Sequence, residues 1–172
     1  ILRAMGADIR VLREYVAGGE PVADLAVRYA PLRGIAIPED QVPLAIDEFP
    51  ALFIAAACAD GVTTLSGAEE LRVKESDRIQ TMADGLAVLG VRHAVKPDGI
   101  VIEGVGHSGR LGAGTIHSHG DHRIAMSFTM ASLRAGGTLT ILDCNNVATS
   151  FPGFAALAQG CGVPLAERHG QT

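Results

Sequence analysis

Chemically capable side chains gather in two short stretches, Lys74-Glu75-Ser76-Asp77-Arg78 and "HSHGDHR" from His117 to Arg123. A further acid, Asp47, stands just ahead of a third, apolar run. The second stretch can be read in two ways. As H-x-H-x-D-H it offers His117, His119, Asp121 and His122 in a spacing that zinc hydrolases of the metallo-β-lactamase type also use. A binuclear site of that type draws more His and Asp ligands from well downstream, and only His169 follows His122. The metal-free reading is therefore preferred, with His117 and His119 in a loop beside a cleft and His169 in a loose tail.

That reading starts from cations at the wrong ends of helices. The helix dipole disfavours a positive side chain in the first turn by about 0.3–1 kcal/mol. Yet Arg123 follows Asp121-His122 at the start of an apolar helix, and Lys74 and Arg78 flank Glu75-Ser76-Asp77 at the start of another. One explanation is purely structural: Asp121 caps its helix and the cations pair with neighbouring acids. The other is functional. If related helix starts face one cleft, their free N–H groups and these cations jointly hold an anion. Arg suits a carboxylate or phosphate by its bidentate fork, and Lys acts as a point charge. Asp47 and Glu75 are then placed for proton transfer. For Asp47 the residues alone leave two readings level, a general base or an N-cap with Pro50 in the first turn.

Repeated elements would position these groups. "LRAMGADIRV" (2–11), "LAVLGVRHAV" (86–95) and "LAQGCGVPLA" (157–166) share one layout: a helix end, Gly6, Gly90 or Gly162, then a strand. The segment from Asp47 matches that from Asp121, each running from an acidic start through a long apolar helix and a Gly break to a Thr-rich strand. The segment from Lys74 lies over that from Thr149 at the same offset, so a strand–helix–strand–helix–strand–strand unit occurs about twice. The helices from 47 and 121 are apolar around most of their circumference, which predicts helices covered on all sides. Ile79, Met82, Ala83, Leu86 and Leu89 make a one-sided stripe. Residues 92–104 predict a hairpin around Pro97-Asp98-Gly99, and 104–118 a Gly-rich loop. The expected architecture is α/β (α+β), with buried parallel helices and outward-facing sheets.

Bulk properties narrow the class. The chain has 172 residues, 48% apolar but only 4% aromatic, with 21 Gly and no Trp, so the core is built from small aliphatic groups. Net charge is −5 and the basic residues are scattered, which argues against nucleic acid or an anionic membrane as partner. Three cysteines without C-x-x-C spacing fit a reducing cytoplasm, with Cys58 as a small buried hydrophobe. The longest apolar run, "ALFIAAACA", is nine residues, too short to span a bilayer. The opening "ILRAMGADIRV" reads as the last turns of a helix entering a strand and predicts a fragment of a longer protein.

Four motifs then carry a resemblance. "AIDEFPAL" (45–52), "EELRVKESDRI" (69–79), "DHRIAMSF" (121–128) and "ATSFPGF" (148–154) closely resemble the C-terminal part of the 5-enolpyruvylshikimate-3-phosphate synthase family. The match runs over essentially the whole chain, in order. A related enolpyruvyl transferase that acts on UDP-N-acetylglucosamine shares the fold but lacks the K-E-S-D-R and D-H-R-I-A-M motifs.

The resemblance implies a two-domain enzyme with three βαβαββ units per domain in an inverted barrel. Residues 1–172 would hold about two units of one incomplete domain, with the other domain outside the chain. It also implies transfer of the enolpyruvyl group from phosphoenolpyruvate to the 5-hydroxyl of shikimate 3-phosphate, without metal or cofactor, in a cytoplasmic monomer when full length. Asp47 matches the proton acceptor that contacts the shikimate hydroxyls, and Glu75 the acid that protonates the methylene carbon and recovers the proton. Lys74 matches a lysine at the shikimate phosphate, and Arg78 and Arg123 the arginines that grip phosphoenolpyruvate. Asp121 and His122 have supporting roles. Thr149 stands where many members carry Lys, as in another subgroup with "ATSFP", and removes one cation. The fragment alone is expected to be close to inactive; the competing expectation is a non-catalytic anion-binding module.

Overall fold

The computed structural model describes residues 1–168. A hairpin opens the chain, β1 (Asp8–Ala17) and β2 (Glu20–Arg28), paired antiparallel around Gly18-Gly19, with a bulge between Val11 and Arg13. Then come α1 (Phe49–Cys58), β3 (Val62–Leu65), α2 (Arg78–Val88), β4 (Arg92–Lys96) and β5 (Gly99–Glu103). The rest comprises β6 (Gly114–His117), α3 (His122–Ala131), β7 (Leu139–Leu142), α4 (Asn145–Ser150) and α5 (Phe154–Gly160).

Two small sheets pack against the helices, while the β1–β2 hairpin is exposed along most of its length. β5 sits between β3 and β4 and is antiparallel to both, while β6 and β7 pair parallel. Ala36 forms a parallel bridge to Thr64 and Arg33 one to Asp60, so the segment before α1 runs alongside β3. Residues 33–103 thus follow the order extended segment, helix, strand, helix, hairpin. All three sheets are open, so no barrel closes among the described residues.

The core is helical and aliphatic, as the small side chains require. α1, α2 and α3 pack on one another, and Phe49, Phe53, Ile79, Met82, Leu86, Ile124 and Phe128 are fully buried between them. Leu65, Ile100 and Ile102 bring the inner face of the central sheet onto these helices. The predicted stripe on α2 is the buried one, with Ile79, Met82, Ala83, Leu86 and Leu89 at 2% exposure or less. Close approach of α2 and α3 needs Gly85: a Cβ there would lie 2.1 Å from Cζ of Phe128.

Gly90 has φ +70°, and Val91 N–H closes back onto the Leu86 carbonyl, the expected glycine end of a helix leading directly into β4. The other two endings differ in part. Residues 1–6 form one closed turn ahead of β1, with Gly6 at φ +101°. After Gly162 no strand forms among the described residues. The predicted loop 104–118 is also corrected. Its last part is β6, whose partner β7 begins far along the chain, a pairing that local composition does not announce. The hairpin at Pro97-Asp98 is present, and the Asp98 carboxylate accepts from Gly67 N–H, which holds its pKa below the usual carboxylate value.

Among the described residues the three cysteines are free, and burial pushes the thiol of half-buried Cys58 up. No described helix is long and apolar enough to cross a membrane.

Candidate active site

The N-terminal ends of α1, α2 and α3 meet at one place, and one side chain joins them. Arg78, the first residue of α2, is 1% exposed and donates from three nitrogens to three carboxylates. Its Nε reaches Asp121 Oδ2 at 2.8 Å, its Nη1 reaches Asp47 Oδ1 at 2.9 Å, and its Nη2 holds Glu75. A buried guanidinium is tolerated only when its charge and donors are matched, and here each edge of the planar group faces an acid from a different element. Burial acts against its charge, but the bond to Asp121 and the surrounding acids more than offset this and raise its pKa.

The two exposed members of that trio point outward. The Asp47 side chain is 46% exposed and that of Glu75 51%. Asp47 lies in a 3₁₀ turn (Pro43–Glu48), not at the N-cap of α1, which Glu48 occupies. The N-cap alternative for Asp47 is therefore overturned: the turn delivers its carboxylate sideways to Arg78 instead of forward to helix N–H groups. Partial burial raises its pKa, but the Arg78 hydrogen bond and the charges of Lys74, Arg123 and Arg78 outweigh that and hold it below the ordinary value.

Lys74 and Arg123 flank the acids. Lys74 Nζ bonds Glu70 and lies 3.5 Å from Asp47 Oδ1; these acids raise its pKa, the Glu70 bond most of all. Arg123 Nη1 donates to the Asp47 carbonyl and to Glu48 Oε1, both at 2.9 Å. The expected pairing of cations with acids is thus real, but for Lys74, Arg78 and Arg123 alike it also crosses between elements.

Asp121 is 0% exposed and caps α3, with Oδ1 accepting from the N–H groups of Arg123 and Ile124 at 3.0 and 3.4 Å. Its Oδ2 takes Arg78 Nε and the Ser76 hydroxyl. This carboxylate is turned inward and fully engaged, so it cannot join His117 and His119 as a metal ligand. Among the described residues no group of three His, Cys, Asp or Glu side chains converges on a metal position. His117 ends β6, exposed, and His119 follows at φ +53°; His169 lies outside the described residues. His122 is half-buried at the start of α3. Thr149 is exposed on α4, a helix packed against α3 and tied by Asn146 to the Gly120 carbonyl at 2.7 Å.

Three residues that sequence reading passed over belong to this network: Glu48, Glu70 and Ser76. Glu70 carried a signal, an i,i+4 relation to Lys74. Ser76 lay inside a motif already singled out, and Glu48 beside Asp47. The long-range partners Asp121 and Arg123 gave neither of the last two away.

The chain is similar to known proteins over nearly its whole length. Residues 1–157 match the family model described as EPSP synthase (3-phosphoshikimate 1-carboxyvinyltransferase). The 3-phosphoshikimate 1-carboxyvinyltransferase of Nitrosococcus oceani is 64% identical over 171 residues, which is 99% of this chain and 37% of that protein. That of Alkalilimnicola ehrlichii is 64% identical over 165 residues, 96% of this chain and 36% of that protein. The solved EPSP synthase of Acinetobacter baumannii superposes with a TM-score of 0.92 at 59% identity, covering 95% of this chain and 38% of that one. The chain spans somewhat over a third of the length of these relatives.

Proposed function

The chain belongs to the EPSP synthase family, and from that premise we propose that it forms one side of a composite active site in a longer enzyme. That enzyme moves the enolpyruvyl group of phosphoenolpyruvate onto the 5-hydroxyl of shikimate 3-phosphate and releases phosphate. One observation carries the reading: two outward-facing carboxylates, Asp47 and Glu75, share Arg78 beside Lys74 and Arg123 where three helix starts meet. Both substrates are polyanions, so a cluster of cations is what they need.

In the proposed reaction Asp47, kept ionised by its cationic neighbours, accepts the proton of the 5-hydroxyl as that oxygen bonds to C2 of phosphoenolpyruvate. Glu75 delivers a proton to the methylene carbon, which completes a tetrahedral adduct. Glu75 then takes a proton back from the resulting methyl group while the C2–O bond to phosphate breaks and phosphate departs. Positioned acid–base groups of this kind contribute about 10²–10⁴-fold in rate. Lys74 faces the shikimate phosphate. Arg123 grips phosphoenolpyruvate, and Arg78 joins it by exchanging one of its carboxylates for the substrate's. Asp121, His122 and Thr149, near the end of α4, support these groups.

Residues 1–172 hold about two of three βαβαββ units of one domain, and a second domain supplies the opposite wall. The full-length enzyme is a cytoplasmic monomer that requires no metal or cofactor. Phosphate release from phosphoenolpyruvate, dependent on shikimate 3-phosphate, tests it. The full-length protein should turn over and the 172 residues alone should be close to inactive. Robust turnover by the shorter chain would refute the composite site, and none by the longer protein would refute the function. Stoichiometric zinc lost on His119→Ala would instead favour a metal enzyme.

A further inference from the structure

We infer that Glu48 is an internal counter-ion of Arg123 that competes with phosphoenolpyruvate for it and thereby sets how tightly that substrate is held, an inference that rests on the function proposed above. Glu48 is the N-cap residue of α1, yet its side chain makes no capping bond to the helix. Short polar side chains usually fill that role, and Glu48, in helical conformation where the 3₁₀ turn runs into α1, is free of it. Here it reaches across to α3 and accepts from Arg123 Nη1 at 2.9 Å. The same nitrogen donates to the Asp47 carbonyl, while the backbone of Arg123 is held by Asp121. The root of Arg123 is thus fixed, and its guanidinium is drawn toward α1 by one charged partner among the described residues, Glu48.

That partner is easily given up. The Glu48 side chain is 65% exposed and that of Arg123 31%, and surface pairs of this kind hold only weakly. Asp47 is different, because its carboxylate is held by Arg78 and Lys74. An incoming polyanion competes with Glu48 for the same donors, and after losing them Glu48 still repels it. The negative charge, more than the contact geometry, is therefore what Glu48 contributes to the site.

The test uses the full-length enzyme. Glu48→Gln keeps the size and an acceptor oxygen but removes the charge. Its KM for phosphoenolpyruvate should fall about two- to fivefold at low salt, with the advantage shrinking as salt screens the wild-type charge. Glu48→Ala should tighten binding in the same direction. An unchanged or raised KM in Glu48→Gln overturns the inference, as does weaker binding in Glu48→Ala with Glu48→Gln neutral, which would make Glu48 a positioning contact for Arg123. Wild-type protein that releases no phosphate would defeat the proposed function instead, so the two failures are distinguishable.

Discussion

Arg78 and Asp121 stand 43 positions apart in the chain and meet at 2.8 Å, with side chains 1% and 0% exposed. The second oxygen of the same carboxylate caps α3. One acid thus ties the start of α2 to the start of α3, and through Arg78 it orients Asp47 and Glu75. Stability and site geometry consequently share a residue.

Removing that carboxylate should be severe. Asp121→Ala leaves the Arg78 charge buried without its main partner and uncaps α3, a loss of about 3–5 kcal/mol. Asp121→Asn should lose less, since an amide oxygen still caps. Urea denaturation of the full-length protein checks both, and an unchanged midpoint for Asp121→Ala would show that the pair does not hold the helix starts together.

Activity should follow the outward-facing groups. Asp47→Ala or Arg123→Ala in the full-length enzyme should lower phosphate release by about 10²-fold or more. Circular dichroism should show each variant folded. Near wild-type rates in both would undo their assignment to the site.

The acid limb of stability should carry a signature of Asp47. Its folded pKa is depressed below 3.8, whereas an unfolded chain keeps the ordinary value. Such a group adds stability that is complete above the unfolded pKa and disappears as pH falls through the folded one. The difference in urea midpoint between wild type and Asp47→Asn should be constant from neutral pH down to about 5 and collapse below 3.8. A difference that persists at pH 2 would mean that the pairing with Arg78 and Lys74 is not its source.

Packing between the helices gives a test independent of chemistry. Gly85→Ala would place a methyl group against the buried ring of Phe128. Overpacking of this kind costs about 1–3 kcal/mol. Combining it with Phe128→Leu should recover part of the loss; no recovery would locate the strain elsewhere.

Local features were readable from residue order. The stripe Ile79-Met82-Ala83-Leu86-Leu89, the hairpin at Pro97-Asp98 and the glycine ending at Gly90 each depend on a few neighbouring residues, so periodicity and turn chemistry determined them. The cations placed against the helix dipole at Lys74, Arg78 and Arg123 marked where chemistry would gather, because such placement is unfavourable unless negative charge comes close. Tertiary structure alone decided the rest. β6 exists because β7 lies alongside it, and the segment after Gly162 pairs with no strand among the described residues. Asp47 turns to Arg78 instead of capping α1, and Glu48 reaches Arg123, because three helix starts are packed together. Strand pairing and charge pairing across long loops depend on where distant segments come to lie, which no local window of sequence contains.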